Sequence, residues 1–129
     1  MHERGKIRGR EYATQVKDFT GLRWGKITPT DIDGLIDFGG KFIVVFELKY
    51  IGTEMPHGQR LALERLSDGS KTPMLVLVAT HNTPPEEDIK VHAATVIEWR
   101  WNGKWGKPLK TISLYDSIES ARKRHAQRR

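Results

Sequence analysis

The chain has 129 residues, enough for one domain with its own hydrophobic core and too few for two, so a single domain is predicted over residues 1–129. It contains no cysteine, which excludes disulfides and thiolate metal sites, and no run of about 18 apolar residues that would predict a membrane span. The first ten residues are charged and lack an apolar segment, which predicts a cytoplasmic protein without a secretory signal.

Charge is distributed unevenly along the chain. The net charge is +6, and the basic residues concentrate at the two ends, in HERGKIRGR and ARKRHAQRR. Basic ends are typical either of contact with a polyanion or of solvated termini. Acidic residues gather instead at DIDGLID, residues 31–37. A local acidic cluster in a basic chain indicates a metal-binding point that faces a phosphate-binding surface.

The first half of the chain predicts a helix followed by a β-hairpin. Residues 10–17 are compatible with a short helix, and residues 19–30 form a loop rich in Gly, Thr and Pro. Two strands, 32–38 and 41–50, are joined at Gly39-Gly40, which is a strong hairpin signal.

The second half predicts a helix, a strand, a second hairpin and a final helix. Residues 58–69 place leucines among charged residues at helical spacing, and residues 73–80 form a continuous apolar run typical of a strand covered on both faces. The second hairpin turns at Asn102-Gly103. The final helix is basic, with Asp116 or Ser117 as its expected N-cap.

Together these elements predict an α/β core, in which a mixed sheet is flanked by helices on both faces. The strands 41–50 and 73–80 are separated by one helix. Because such a connection returns the chain in the same direction, they are expected to be parallel neighbours with a right-handed crossover.

The register of the first hairpin decides which carboxylates meet. Glu47 and Lys49 share one face of their strand, one pleat apart. A lone Glu-x-Lys pattern is most often an exposed ion pair at a strand end. If residues 39–41 form a three-residue loop, Phe38 lies opposite Phe42 and Asp33 lies opposite Glu47. A two-residue loop would instead put Asp33 and Glu47 on opposite faces of the sheet.

Two carboxylates in opposed positions, with Cβ atoms about 5 Å apart, repel each other unless a cation lies between them. Mg²⁺ suits such a pair because it takes a few carboxylate oxygens and keeps several waters. Asp37 would lie about 14 Å from Glu47 along the strand and is predicted to be a turn residue. Asp31 is either a further ligand of the site or a turn cap with Thr30, and the turn role is favoured.

These residues resemble the PD-(D/E)XK nuclease superfamily: Asp33, a turn, Glu47-Leu48-Lys49, and a following helix that carries Gln59. The resemblance covers about residues 31–80 and implies a restriction-endonuclease-like core. ITPTDIDG and PHGQRLALERL are most similar to small nucleases of phages and prophages, which include proteins like Holliday-junction resolvases. One departure is that Ile32, rather than proline, precedes Asp33.

The resemblance implies a role for each of these residues. Asp33 and Glu47 would bind Mg²⁺ or Mn²⁺, and the backbone carbonyl of Leu48 would complete the protein ligands. Lys49 would stand beside the attacking water, while Gln59 would orient Lys49, a metal-bound water or the phosphate. The implied protein is a metal-dependent DNA endonuclease with branched DNA as its expected substrate. The alternatives are a nuclease for single-stranded DNA or RNA, and a nucleic-acid-binding phage protein without activity.

Two basic regions are candidates for contact with nucleic acid. In the WRWNGKW segment, Arg100 and Lys104 are expected to contact phosphate, whereas the tryptophans are expected to pack the hairpin. In the final helix, the basic surface is formed by residues that include Arg122, Lys123 and Arg124. By analogy with junction-resolving relatives a homodimer is compatible with this interpretation, and the expected location is the cytoplasm of a bacterial host if the protein is phage-encoded.

Overall fold

Five strands lie side by side in one sheet, in the order in which they occur along the chain. The structure is a computed structural model and describes residues 18–126, so the helix predicted at 10–17 lies outside the described residues. The elements are β1 (Gly34–Asp37), β2 (Ile43–Tyr50), α1 (His57–Gly69), β3 (Met74–His81), a 3-10 helix (Val91–Ala93), β4 (Thr95–Trp101), β5 (Lys104–Gly106) and α2 (Leu114–Ala126).

The sheet is mixed, as predicted. β2 and β3 are parallel, because α1 carries the chain back between them, and the other neighbouring pairs are antiparallel. The six residues from Met74 to Ala79 are all buried. A strand with both faces covered in this way can be apolar at every position, which explains the continuous run in the sequence.

Helices cover both faces of the sheet. Side chains alternate along β2, so Val44 and Val45 enter different cores. Val44 packs in the cluster that includes Leu114 of α2, whereas Val45 packs in the cluster that includes Leu63 of α1. The predicted α/β class is therefore confirmed, with α1 and α2 on opposite faces.

Both predicted hairpin turns are present. In the first, the Phe38 N–H donates to the Phe42 carbonyl at 2.8 Å, so residues 39–41 form the loop. The loop bends where Gly39 and Gly40 adopt positive φ of 66° and 77°. The Gly40 N–H donates to Asp37 Oδ1 at 2.7 Å, which confirms Asp37 as a turn residue.

The second hairpin turns at Asn102 and Gly103, with φ of 53° and 78°, as a two-residue turn of this type requires. The predicted cap of the final helix is wrong. α2 begins at Leu114, and the Asp116 N–H donates to the hydroxyl of Ser113 at 3.1 Å, so Ser113 is the cap. Asp116 lies in the first turn, where its charge complements the helix dipole.

Side chains on one face of α1 hold that helix against β4 and β5. Arg60 makes two hydrogen bonds to Glu98, at 2.9 and 2.6 Å, and its guanidinium lies 4.1 Å from the centre of the Trp105 ring. The Trp105 indole N–H donates to Glu64 at 2.7 Å. Because these contacts fix the position of α1, they also fix where the side chains of α1 lie relative to the C-terminal end of β2.

Neither of the helices in the described residues is long and apolar enough to cross a membrane.

Candidate metal-binding site

The register of the first hairpin places Asp33 opposite Glu47, as predicted. Gly34 pairs with Phe46 and Asp37 pairs with Ile43, so one further step along the ladder brings Asp33 to Glu47. β1 begins at Gly34, so Asp33 lies just outside the strand. There a side chain replaces the backbone as hydrogen-bond acceptor: the Leu48 N–H donates to Asp33 Oδ2 at 2.7 Å. The three-residue loop thus decides which carboxylate reaches the site.

The same alternation orients the Leu48 backbone. Phe38 and Phe42 form a hydrogen-bonded pair, and such pairs recur at every second residue of an antiparallel ladder. Leu48 therefore directs both its N–H and its carbonyl toward the edge where the Asp33 carboxylate lies. This direction suits the carbonyl for the ligand role that the resemblance implies.

Glu47 is the most unusual side chain of the site. It is 1% exposed, and its Oε1 has no hydrogen-bond partner among the described residues. Burial, followed by a hydrogen bond with Asp33 and the negative charge of Asp33, raises the pKa of Glu47 to about 8, and the Lys49 ammonium offsets only part of this shift. A buried carboxyl oxygen without a hydrogen-bond partner costs stability. A cation beside it would remove that cost.

Lys49 and Gln59 also meet as predicted. The Lys49 ammonium donates to Gln59 Oε1 at 2.8 Å, and Gln59 Nε2 donates to the Asp31 carbonyl at 3.4 Å. Gln59 thus connects the catalytic candidate Lys49 to the segment that carries Asp33. Asp31 contributes its backbone to this link, and its negative charge adds to the rise in the pKa of Glu47.

The candidate donor atoms at this site are all oxygens, which is the ligand type that Mg²⁺ takes in proteins. Within residues 18–126, no three His, Cys, Asp or Glu side chains converge on one point. Asp33, Glu47 and the Leu48 carbonyl would leave several coordination positions to water, which is the usual environment of Mg²⁺ in proteins. The Oε1 atom of Glu47 is the one that such an ion would satisfy.

The predicted phosphate contact at Arg100 is not supported. Arg100 is 7% exposed, and its guanidinium makes two hydrogen bonds to Asp68, at 3.1 and 2.7 Å. It is a buried structural partner of α1, so we remove it from the candidate nucleic-acid surface. Lys104 is exposed on β5, and the two tryptophans beside Arg100, Trp99 and Trp101, pack against the core as predicted.

The basic residues of α2 are exposed but lie on the other face of the sheet from Glu47. Glu47 shares its face with Val45 and α1, whereas α2 packs against the face of Val44. Arg122 forms an ion pair with Glu119. Lys123 and Arg124 are exposed on the same helix. The acidic site and this basic helix are therefore separated by the thickness of the sheet.

Sequence reasoning missed one exposed feature, the segment that leads into Asp33. Residues 18–33 are exposed throughout, and Trp24 and Ile27 form an isolated bridge within them. The two residues between them, Gly25-Lys26, resemble a tight turn and were the signal that could have found it.

Comparisons with models of protein families, with curated proteins and with solved structures found no significant match to this chain, so the chemistry of the site rests on its own residues.

Proposed function

We propose that the protein is a metal-dependent nuclease that hydrolyses phosphodiester bonds in nucleic acid. The observation that carries the proposal is the buried Glu47 carboxyl, whose Oε1 has no partner within residues 18–126, directly opposite Asp33 and one pleat from Lys49. Burial of an acid in this way lowers the stability of the folded protein, and a cation bound to the carboxylate would offset that loss.

The residues of the site divide the work of hydrolysis. Asp33, Glu47 and the Leu48 carbonyl would hold Mg²⁺ or Mn²⁺, which when bound polarises a phosphoryl oxygen and acidifies water. Lys49 stabilises the negative charge that develops on the phosphate, and Gln59 holds its ammonium in place. Glu47 and Lys49 are positioned by β2 and Gln59 by α1, while Asp33, just before β1, is held by its hydrogen bond from the Leu48 N–H.

The finer parts of the proposal concern fold, substrate and assembly. The mixed sheet with helices on both faces is compatible with a restriction-endonuclease-like core. DNA is the proposed substrate, since the net charge of +6 favours a polyanion, and branched DNA and a homodimer remain part of the proposal by analogy with small junction-resolving enzymes.

Cleavage assays with matched variants test the proposal. A four-way junction, a linear duplex and a single strand are incubated with protein and either Mg²⁺ or EDTA. Glu47→Gln and Lys49→Ala are each expected to lower the cleavage rate by at least about a hundredfold. Glu54→Gln and Lys71→Ala, which change exposed residues of the same types, should cleave normally.

Metal-independent binding without cleavage of any substrate would contradict the nuclease proposal and favour the alternative, a nucleic-acid-binding protein without activity. Equal cleavage of junction and linear duplex would contradict the preference for branched DNA only. Faster cleavage of the single strand or of RNA would favour the other alternative nuclease.

A further inference from the structure

A small hairpin precedes the site and presents a tryptophan at its surface. Trp24 and Ile27 exchange two backbone hydrogen bonds, at 2.9 and 3.0 Å, across a turn in which Gly25 has a φ of 64°. Arg23 Nε donates to the Gly25 carbonyl at 2.9 Å and braces the turn from outside. The hairpin is thus a defined structure, which reduces the entropy lost when it binds a partner.

Trp24 is the most exposed of the four tryptophans of this protein. Its side chain is 66% exposed, whereas the other three tryptophans of the chain are partly buried. Ile27 beside it is 70% exposed. Exposed apolar side chains such as that of Ile27 are ordinary on a protein surface, whereas an indole that a braced hairpin holds in solvent indicates a binding surface.

The hairpin lies within reach of the acidic site. Asp31 lies four positions after Ile27, a stretch that spans at most about 14 Å, and Trp24 lies one strand spacing, about 5 Å, beyond Ile27. The Asp31 carbonyl is tied to Gln59 of α1, beside Lys49. A distance of at most about 20 Å corresponds to roughly six nucleotides along a duplex, so one nucleic-acid molecule spans both places.

The charges around the hairpin favour a polyanion over another protein surface. Arg23 and Lys26 flank Trp24 on both sides and are exposed. Asp18 is the one acidic residue between 18 and 30, and its Oδ1 already accepts a hydrogen bond from the Thr20 N–H at 3.0 Å. An exposed indole between two cations is the combination that single-stranded nucleic acids recognise through stacking and phosphate contacts.

We propose that Trp24 stacks on an unpaired nucleobase of the substrate while Arg23 and Lys26 contact the adjacent phosphates. In a continuous duplex both faces of each base are already stacked, so the indole finds a free face only at a branch, an end or a single strand. The hairpin would therefore select nucleic acid with unpaired bases for the proposed nuclease site. This inference rests on the proposed function and adds the substrate feature that the site recognises.

Binding measured in EDTA tests the inference separately from cleavage. Fluorescence anisotropy compares a labelled single strand of about 20 nucleotides, longer than a typical single-strand site, with a blunt duplex of the same length. Trp24→Ala is expected to weaken single-strand binding by roughly 5- to 150-fold, the range that loss of one stacked base implies. Trp24→Phe should retain most of the affinity, and duplex binding should change much less than single-strand binding, because a blunt duplex offers a free base face only at its two ends.

Ile27→Ala is the matched control, because Ile27 is as exposed as Trp24 and lies on the same hairpin but has no ring to stack. It should bind the single strand like the wild type. Unchanged binding by Trp24→Ala would overturn the inference. Equal losses for Trp24→Ala and Ile27→Ala, together with a change from dimer to monomer, would also overturn it and identify the hairpin as a contact between protein chains.

The two proposals fail in different ways in this experiment. If the wild type binds the single strand, Trp24→Ala weakens that binding and Mg²⁺ produces no cleavage, the inference about Trp24 stands and the nuclease proposal fails. If the wild type cleaves and Trp24→Ala binds normally, only the inference fails. If the wild type binds no nucleic acid, both fail.

Discussion

Glu47 explains why the apolar strand β2 ends in charged residues. Its carboxyl is buried by the strand and by α1, opposite a second carboxyl, and so it holds its proton unless a cation is present. Lys49, one pleat further, lies where the strand emerges from the core and can reach Gln59. The two charges therefore have different environments although they share a face.

The raised pKa of Glu47 predicts how the stability of the metal-free protein depends on pH. The folded-state pKa is about 8, whereas the ordinary value is 4.5, so between these values the folded state keeps a proton that the unfolded state has lost. This contribution to stability is fully present below the ordinary value and is lost as pH rises through about 8. The total loss is on the order of 5 kcal/mol at most.

Urea denaturation in EDTA from pH 5 to 9 measures this loss, with Glu47→Gln as the comparison because glutamine does not titrate. The variant should lose less stability than the wild type across that range. Parallel stability curves for the two proteins would contradict the raised pKa. Adding Mg²⁺ at pH 8 should stabilise the wild type more than the variant, because the ion binds the folded carboxylate.

At the scale of elements, the β1–β2 hairpin depends on a glycine. Gly34 pairs with Phe46, and a Cβ at Gly34 would overlap with the Phe46 ring, which lies across the glycine. Gly34→Ala must therefore displace the ring or the strand, next to Asp33. We expect a loss of about 1–3 kcal/mol in the free energy of unfolding, measured by urea denaturation.

Gly58→Ala is the matched control, because a Cβ at Gly58 in α1 would meet nothing within 4 Å. That change should be neutral or stabilise the protein by up to about 1 kcal/mol, since alanine favours a helix more than glycine does. Equal stability of the two variants would show that the ring over Gly34 does not constrain the hairpin.

The ion pair between Asp68 of α1 and Arg100 of β4 predicts a second effect at this scale. Asp68→Ala leaves the Arg100 guanidinium, which is 7% exposed, without its carboxylate, so the melting temperature should fall clearly. Asp88→Ala, at an exposed aspartate in a loop, should have little effect. Adding Arg100→Met to Asp68→Ala should restore most of the stability, because the unpaired charge is then removed. No recovery in the double variant would mean that packing of the Arg100 stem dominates.

Sequence reasoning succeeded where structure is decided locally. Gly39-Gly40 set the length of the loop, the loop set the register, and the register brought Asp33 to Glu47. It failed where the environment of a side chain depends on a partner that is distant in the sequence. Arg100 looked like a surface cation because its partner, Asp68, is 32 residues away on another element. The cap of α2 was misplaced because Ser113 precedes the apolar residue Leu114, which lies inside the helix.

At the scale of the whole molecule, the charges that the sequence suggests as one surface lie in different places. The acidic site is at the β1 edge of the sheet, on the face of α1. Lys104 is on β5, at the opposite edge, and the basic helix α2 covers the opposite face. If nucleic acid binds at the proposed site, the Trp24 hairpin lies on the segment that leads into that site, whereas α2 lies on the other face of the sheet. The basic residues of α2 would then contact a different part of the nucleic acid or act only through their electrostatic field.

The last prediction distinguishes direct phosphate contacts of the basic residues on α2 from a long-range electrostatic effect of their charge. Lys123→Gln with Arg124→Gln removes two exposed charges, and Arg122 is left intact because it pairs with Glu119. If these residues touch phosphates, the slope of log affinity against log salt should decrease by about 1 for each phosphate that is no longer neutralised, equally for single strand and duplex. Anisotropy titrations at several salt concentrations measure the slope.

The control removes the same net charge elsewhere. Arg65 on α1 and Lys71 in the loop after α1 are exposed, and α1 lies on the other face of the sheet from α2. Arg65→Gln with Lys71→Gln should leave the slope nearly unchanged, because a reduced net charge without phosphate contact releases few counterions. Equal decreases in both double variants would contradict a contact at α2. The basic helix would then act through the overall charge of the protein, and Trp24 and its flanking cations would be the principal contact surface.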